Sequence, residues 1–162
     1  MKTSKLTVCS LMTALVITLE TSVALSGEAF VLLTILSTIP IYISVRISIL
    51  YGITGYLCTA LLLFFVSPHQ ALFFVCTNGL LGASLGVCRK KGLSSAPACS
   101  IGATLLLIGL IVVSVFLGIF KSILSNWLLI TASIIFCIAY TLLCNWILEK
   151  IYRKYMTIRG DL

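Results

Sequence analysis

Three consecutive cations, Arg89, Lys90 and Lys91, interrupt a chain that is otherwise nearly continuous hydrocarbon. Cations are costly inside a bilayer, and short basic loops are retained on the cytoplasmic side of a membrane. Of the 162 residues, 60% are hydrophobic and 9% are charged, whereas soluble domains have about 25% charged residues. We therefore predict an integral membrane protein whose helices can be counted outward from a cytoplasmic loop at residues 89–92.

Long apolar runs on both sides of this loop predict six transmembrane helices in a single domain, 1–162. A crossing takes about 20 apolar residues. The run 29–66 is about twice that length, so we expect it to fold back between Pro40 and Arg46, with Pro40 bending or ending the helix. The predicted spans of this all-α membrane protein are residues 6–25, 29–45, 47–66, 71–88, 99–120 and 127–148, with a turn at Ser67-Pro68.

The distribution of positive charge predicts that both termini are cytoplasmic. In that orientation ten of the eleven cations face the cytoplasm: Lys2, Lys5, Arg46, Arg89, Lys90, Lys91, Lys150, Arg153, Lys154 and Arg159. Only Lys121 is then outside, which follows the positive-inside rule. The formal charge of +7 is thereby explained by orientation and by contact with anionic lipid. We expect a multi-pass protein of the cell membrane and no nucleic-acid partner.

Sequence patterns typical of catalysis or of metal binding are lacking. There is no His-Glu-x-x-His motif, no Gly-x-Ser-x-Gly motif and no P-loop, and the sole histidine, His69, falls in the predicted turn. The seven cysteines include no Cys-x-x-Cys pair, so we interpret them as small apolar residues within helices. We therefore expect no enzymatic activity, no cofactor, no metal site and no use of ATP by this chain itself.

The few polar residues expected near the outer face come from different external connections and the helix ends beside them. Glu28 is one of them, and six others are candidate ligand contacts: Glu20, His69, Gln70, Asn78, Asn126 and Trp127. Asn78 is the most informative, because an amide about two turns into an apolar helix needs a partner. These residues either line one outward-facing pocket or are ordinary polar residues of the membrane interface.

Ser10, Ala14 and Thr18 recur at four-residue spacing and so lie along one face of the first helix. Small side chains let another helix approach closely within a membrane. This face is therefore either an internal packing surface or a docking surface for a partner subunit. A second set of small residues predicts a thin packing face on the fourth helix: Gly79, Gly82, Ala83 and Gly86.

Six short helices, the small-residue face of the first helix, a polar-poor interior and the basic loop together resemble the substrate-binding S components of energy-coupling-factor (ECF) vitamin transporters. The stretch 36–92, with its Ser67-Pro68 turn and the run from Gly79 to Gly86 ahead of the three cations, is also similar to YybS-like membrane proteins of related fold. The resemblance is detailed over residues 1–95 and rests on hydropathy beyond them.

The resemblance implies a binding subunit that captures a vitamin or similar small nutrient from outside and works with a membrane-embedded ECF T component and ATPase subunits. It implies docking of the T component on the first helix, where Ser10 and Thr18 replace alanines of the family pattern on either side of Ala14. It also implies a ligand pocket in the outer half, where the six candidate residues fall.

A rival hypothesis is a non-transporting membrane scaffold of similar fold, like the cell-shape protein MreD, that acts through helix contacts with other membrane proteins. A channel or exporter is disfavoured, because such proteins place charged residues within their spans. The two leading hypotheses predict different interiors. A binder requires Glu20 and the outer-half amides to converge, whereas a scaffold can leave them scattered.

Overall fold

The computed structural model describes residues 2–26, 31–118 and 127–159, which form helices and short connections without any strand. The described helices are α1 Lys2–Ser26, α2 Val31–Ile47, α3 Ile49–Val66, α4 Pro68–Cys76, α5 Asn78–Lys90, α6 Ser95–Phe116 and α7 Trp127–Arg159. The predicted all-α class is confirmed over these residues.

Five segments of the described chain are long and apolar enough to cross a membrane: Lys5–Leu25, Ile49–Val66, Pro68–Lys90, Ser95–Phe116 and Trp127–Thr157. These segments identify a multi-pass membrane protein. A sixth apolar stretch, Thr34–Ile47 in α2, is shorter. The 17 residues of α2 extend over about 26 Å, slightly less than a hydrocarbon core of about 30 Å. Whether α2 completes a sixth crossing stays a prediction.

Helix α2 lies at the centre of the bundle and packs against α1, α3 and α5. Its residues 40–45 are all buried, as expected for a helix that is apolar on every side and surrounded by protein. Large apolar side chains on the surrounding helices, including Phe64, Phe65 and Phe116, are exposed. Since lipid tails are as apolar as leucine, such side chains suit a surface that faces lipid.

The small residues of the predicted fourth span let α5 approach α2 closely. A Cβ atom at Gly82 would lie 2.9 Å from the carbonyl oxygen of Thr38, and one at Gly86 would lie 2.8 Å from the Cβ of Val45. Both distances are too short for a side chain, so only glycine permits this spacing of the helices. The prediction of a thin packing face is confirmed.

Several predicted boundaries are wrong. Helix α2 continues through Pro40 to Ile47, and the chain turns at Ser48; membrane helices tolerate proline where neighbouring helices surround it. Helix α6 begins at Ser95 with Pro97 in its first turn, where the missing N–H has no intrahelical partner to lose. Helix α7 runs on to Arg159. The predicted fourth span, 71–88, is two helices, α4 and α5, separated at Thr77.

One end of the bundle, which we call the basic end, is organised around Glu149 of α7. Its Oε1 accepts hydrogen bonds of 2.7 Å from both Arg89 Nε and Tyr42 Oη. Arg46 Nη1 lies 3.7 Å from the same oxygen, and Arg153 Nε lies 3.9 Å from Oε2. Four side chains from three helices therefore meet at one carboxylate, which ties α7 to α2 and α5.

Candidate ligand-binding site

A cavity of about 480 Å³ lies towards the end of the bundle opposite the basic end. It is lined by the following side chains, and we call it the Glu20 cavity: Glu20, Val23, Thr34, His69, Gln70, Phe73, Phe74, Thr77 and Asn78. Four of the six candidate ligand contacts are among them, contributed by α1, α4 and α5. The volume falls within the range of about 300–1,000 Å³ that is typical of small-molecule sites.

Glu20 is fully buried. Ser37 Oγ donates to its Oε1 at 2.6 Å, and Gln70 Nε2 donates to its Oε2 at 2.9 Å. A carboxylate offers about four acceptor positions, so about two remain for a ligand. No lysine or arginine in the described ranges forms an ion pair with Glu20. A buried carboxylate without a cation favours a ligand that brings N–H donors or a positive charge.

The Ser67-Pro68 turn places His69 and Gln70 at the cavity. It initiates α4: Ser67 is the N-cap, its side chain accepts from the backbone N–H of Gln70 at 3.4 Å, and Pro68 occupies the first turn. Serine at the N-cap followed by proline is a common helix start, so the predicted start at Ala71 is late. The ring of His69 meets the edge of Phe73 with centroids 5.0 Å apart.

The backbone break at Thr77 lies at the cavity. Thr77 has φ −121° and ψ −93°, and its Oγ1 donates to the Phe73 carbonyl at 2.6 Å. The Val75 carbonyl accepts from Tyr56 Oη at 2.9 Å. Non-helical backbone at membrane depth is tolerated only where it is buried in protein or lines a cavity, and interrupted helices form binding sites in many membrane transporters.

Gly109 of α6 lies against the same break. A Cβ atom at this position would overlap the carbonyl oxygen of Cys76 and would lie 2.7 Å from its carbonyl carbon. Only a residue without a side chain permits this approach. Helix α6 therefore covers the break, and the Cys76 carbonyl contacts protein there.

Asn78 has the partner that its position requires. Its Oδ1 accepts from Tyr140 Oη of α7 at 3.1 Å, and the Tyr140 ring stacks on Phe136 with centroids 5.7 Å apart. The Nδ2 group of Asn78 makes no hydrogen bond within the described ranges. The amide is therefore anchored through its oxygen and can offer its N–H groups to a ligand.

The structure places one of the two remaining candidates, Trp127, outside this cavity. Trp127 is the first residue of α7, is 82% exposed and does not line the cavity. Asn126 and Glu28 lie outside the described residues. Phe73 and Phe74 in the wall were missed, because an aromatic residue in an apolar helix looks the same whether it faces lipid, core or ligand. The break at Thr77 had a signal, the turn-forming Asn78-Gly79 dipeptide.

Ser10, Ala14 and Thr18 are all exposed on α1. Ser10 and Ala14 line an open groove of about 320 Å³ between α1 and α3, the α1–α3 groove, to which Thr18 does not contribute. The hydroxyl groups of Ser10 and Thr18 each donate at 2.9 Å to a carbonyl of their own helix. This face therefore presents small, effectively apolar groups, which suits contact with another membrane helix.

No group of three His, Cys, Asp or Glu side chains that could hold a metal ion occurs among the described residues. All seven cysteines are free, and five of them are buried. No protein-family model, no curated protein and no solved structure matches the chain.

Proposed function

We propose that this protein is the substrate-binding subunit of a membrane uptake system of the ECF kind, which binds a small nutrient in the Glu20 cavity. The supporting observation is the convergence of Glu20, His69, Gln70 and Asn78 from three helices on one cavity beside a broken helix. A scaffold that acts only through helix contacts needs no buried, hydrogen-bonded carboxylate at a cavity.

The proposed orientation follows from charge. The basic end, with Arg46, Arg89 and Arg153 around Glu149, belongs in the cytoplasm under the positive-inside rule. The Glu20 cavity, near the opposite end, then lies on the outer side, from which an uptake protein receives its substrate.

The chemistry of the walls indicates the class of ligand. Glu20 supplies acceptor positions, Asn78 supplies N–H donors, and Phe73 and Phe74 supply apolar aromatic surface. Aromatic faces also attract cations. These features favour a small solute with an apolar or planar body and one N–H-bearing or singly positive group that reaches Glu20.

The proposed partner is a membrane-embedded T component that docks on the α1–α3 groove and is driven by ATPase subunits. Ser10 and Ala14 present small side chains there, and Gly55 of α3 contributes no side chain to the opposite wall. Close helix approach over such surfaces is a common basis of association in membranes.

The experiment is native mass spectrometry of the detergent-purified protein expressed in rich medium, followed by thermal stabilisation with a panel of vitamins. We expect a stoichiometric small-molecule adduct. Glu20→Gln should weaken its binding about 10- to 100-fold, because hydrogen bonds to a charged group contribute about 1.5–3 kcal/mol each. Asn78→Ala should weaken it by about 3- to 10-fold, as expected for loss of a neutral hydrogen bond.

Two control variants separate binding from folding. Tyr140→Phe removes the internal hydrogen bond of Asn78 but leaves its N–H groups at the cavity, so it should lower stability while the adduct remains. Trp127→Ala changes a residue away from the cavity and should leave both the stability and the adduct unchanged. A protein free of any adduct that no vitamin stabilises would refute the proposal and favour the scaffold.

A further inference from the structure

A second cavity, of about 710 Å³, lies at the basic end between the end of α5, the start of α6 and α7. We call it the basic-end cavity, and its lining includes Arg89, Asn145, Trp146, Glu149, Lys150 and Arg153. We propose that it binds the phosphate-bearing headgroup of an anionic membrane phospholipid. This proposal does not depend on the function of the Glu20 cavity.

The cavity has an excess of positive charge. Three cations, Arg89, Lys150 and Arg153, line it together with one acid, Glu149. That carboxylate is already shared, since Arg46 approaches it to 3.7 Å from outside the lining. Lys150 has no ion pair within the described ranges, and its Nζ lies 5.2 Å above the Trp146 ring. An anion entering here would meet cations that the protein itself leaves incompletely paired.

Asn145 gives an independent indication of a ligand. Its side chain lines the cavity, the residue is only 6% exposed, and its Oδ1 has no hydrogen-bond partner among the described residues. A buried polar atom without a partner is unfavourable. A headgroup hydroxyl could donate to this oxygen, and rotation of the amide would instead present its N–H groups to a phosphate oxygen.

The N-terminus of α6 adds donors on the opposite wall. Ser95 and Ala96 line the cavity as the first two residues of this 22-residue helix. The N-cap residue, Ser94, makes no side-chain cap hydrogen bond. The first N–H groups of a helix have no intrahelical partner, and the helix dipole favours an anion beside them.

The order of side chains along α7 points to a lipid as the source of the phosphate. Leu142, Trp146 and Lys150 follow one another at four-residue intervals, all exposed and all lining the cavity. Over the roughly 12 Å between the first and the last, the surface changes from aliphatic to indole to ammonium. Tryptophan and lysine prefer the headgroup level of a membrane, so an acyl chain would lie along Leu142 and its phosphate at Lys150.

The test compares lipids by native mass spectrometry of the full-length protein in detergent. Phosphatidylglycerol should be retained, whereas phosphatidylcholine and the soluble probes inorganic phosphate and glycerol phosphate should not. The double variant Lys150→Gln, Arg153→Gln should reduce retention of phosphatidylglycerol about tenfold or more. The matched control, Lys91→Gln with Lys154→Gln, removes the same charge from exposed positions outside the cavity and should reduce retention less than about twofold.

Asn145→Ala provides a second variant that leaves the net charge unchanged, and it should also weaken retention. Equal losses in the two double variants would overturn the proposal, because diffuse surface charge would then explain the binding. Unchanged retention in both the cavity double variant and Asn145→Ala would overturn it as well. Binding of glycerol phosphate as tight as that of the lipid would overturn the lipid source and assign the site to a soluble phosphate compound.

Discussion

Replacing Gly109 by alanine tests the contact on which the broken helix depends. The new Cβ atom would overlap the carbonyl oxygen of Cys76, which is backbone and cannot rotate away. Helix α6 and the α4–α5 break would have to move apart from each other. Because Thr77 and Asn78 at this break line the Glu20 cavity, the same movement should weaken ligand binding.

Two effects of opposite sign determine the size of the change. Overpacking costs about 1–3 kcal/mol, and a backbone neighbour places this site at the upper end of that range. Alanine is favoured over glycine within a helix by about 1 kcal/mol. The free energy of unfolding should therefore fall by about 2 kcal/mol, which corresponds to a melting temperature lower by about 4–8 °C for a chain of this length.

Gly102→Ala is the matched control on the same helix. A Cβ atom at Gly102 would meet only side-chain atoms, the nearest being Thr141 Cγ2 at 3.0 Å, and these can shift. Overpacking and helix preference should then nearly cancel, so the melting temperature should change by less than about 3 °C. Both variants are measured by circular dichroism on heating in detergent. If Gly109→Ala melts no lower than Gly102→Ala, the contact between α6 and the break does not exist.

Two further predictions concern the α1–α3 groove and the basic end. Ala14→Leu should fill the α1–α3 groove and abolish co-purification of a T component without lowering the melting temperature. The control Ser22→Leu changes a residue that is exposed on α1 outside the groove, so the T component should still co-purify with it. Equal co-purification in both variants would count against docking there. Glu149→Gln leaves the largely buried guanidinium of Arg89 with a weaker acceptor and should lower the free energy of unfolding by about 2 kcal/mol. Arg153→Gln, at a side chain that is 80% exposed, should lower it by less than about 1 kcal/mol, and a similar loss in both variants would contradict the central role of Glu149.

Much of the fold could be predicted because hydropathy and turn signals are local. The run 99–120 is apolar enough to be helical wherever it lies in the structure, and α6 indeed covers most of it. The Ser67-Pro68 dipeptide marks a chain turn by its own backbone preferences. The wrong boundaries occur where neighbours override such signals, as at Pro40, which remains helical because it is buried between other helices.

The candidate site was less predictable. The residue types that could contact a ligand were visible because polar side chains are scarce, and Glu20, His69, Gln70 and Asn78 do share a cavity. Their hydrogen-bond partners were not visible. Ser37 and Tyr140 were two unremarkable residues of predicted spans, and only the rotation of α2 and α7 about their axes directs them towards Glu20 and Asn78.

The sequence by itself determined that this chain forms apolar helices, that its cations flank the apolar runs and that thin glycine faces allow close packing, because each of these depends on a single segment and its solvent. The tertiary structure alone decided that Gly109 lies against the Cys76 carbonyl at the helix break, that Glu20 is buried at a cavity, and that Glu149 lies near three guanidinium groups. Those features depend on the register and rotation of helices distant in the chain, and in a nearly uniform apolar sequence the packing of neighbouring faces determines both.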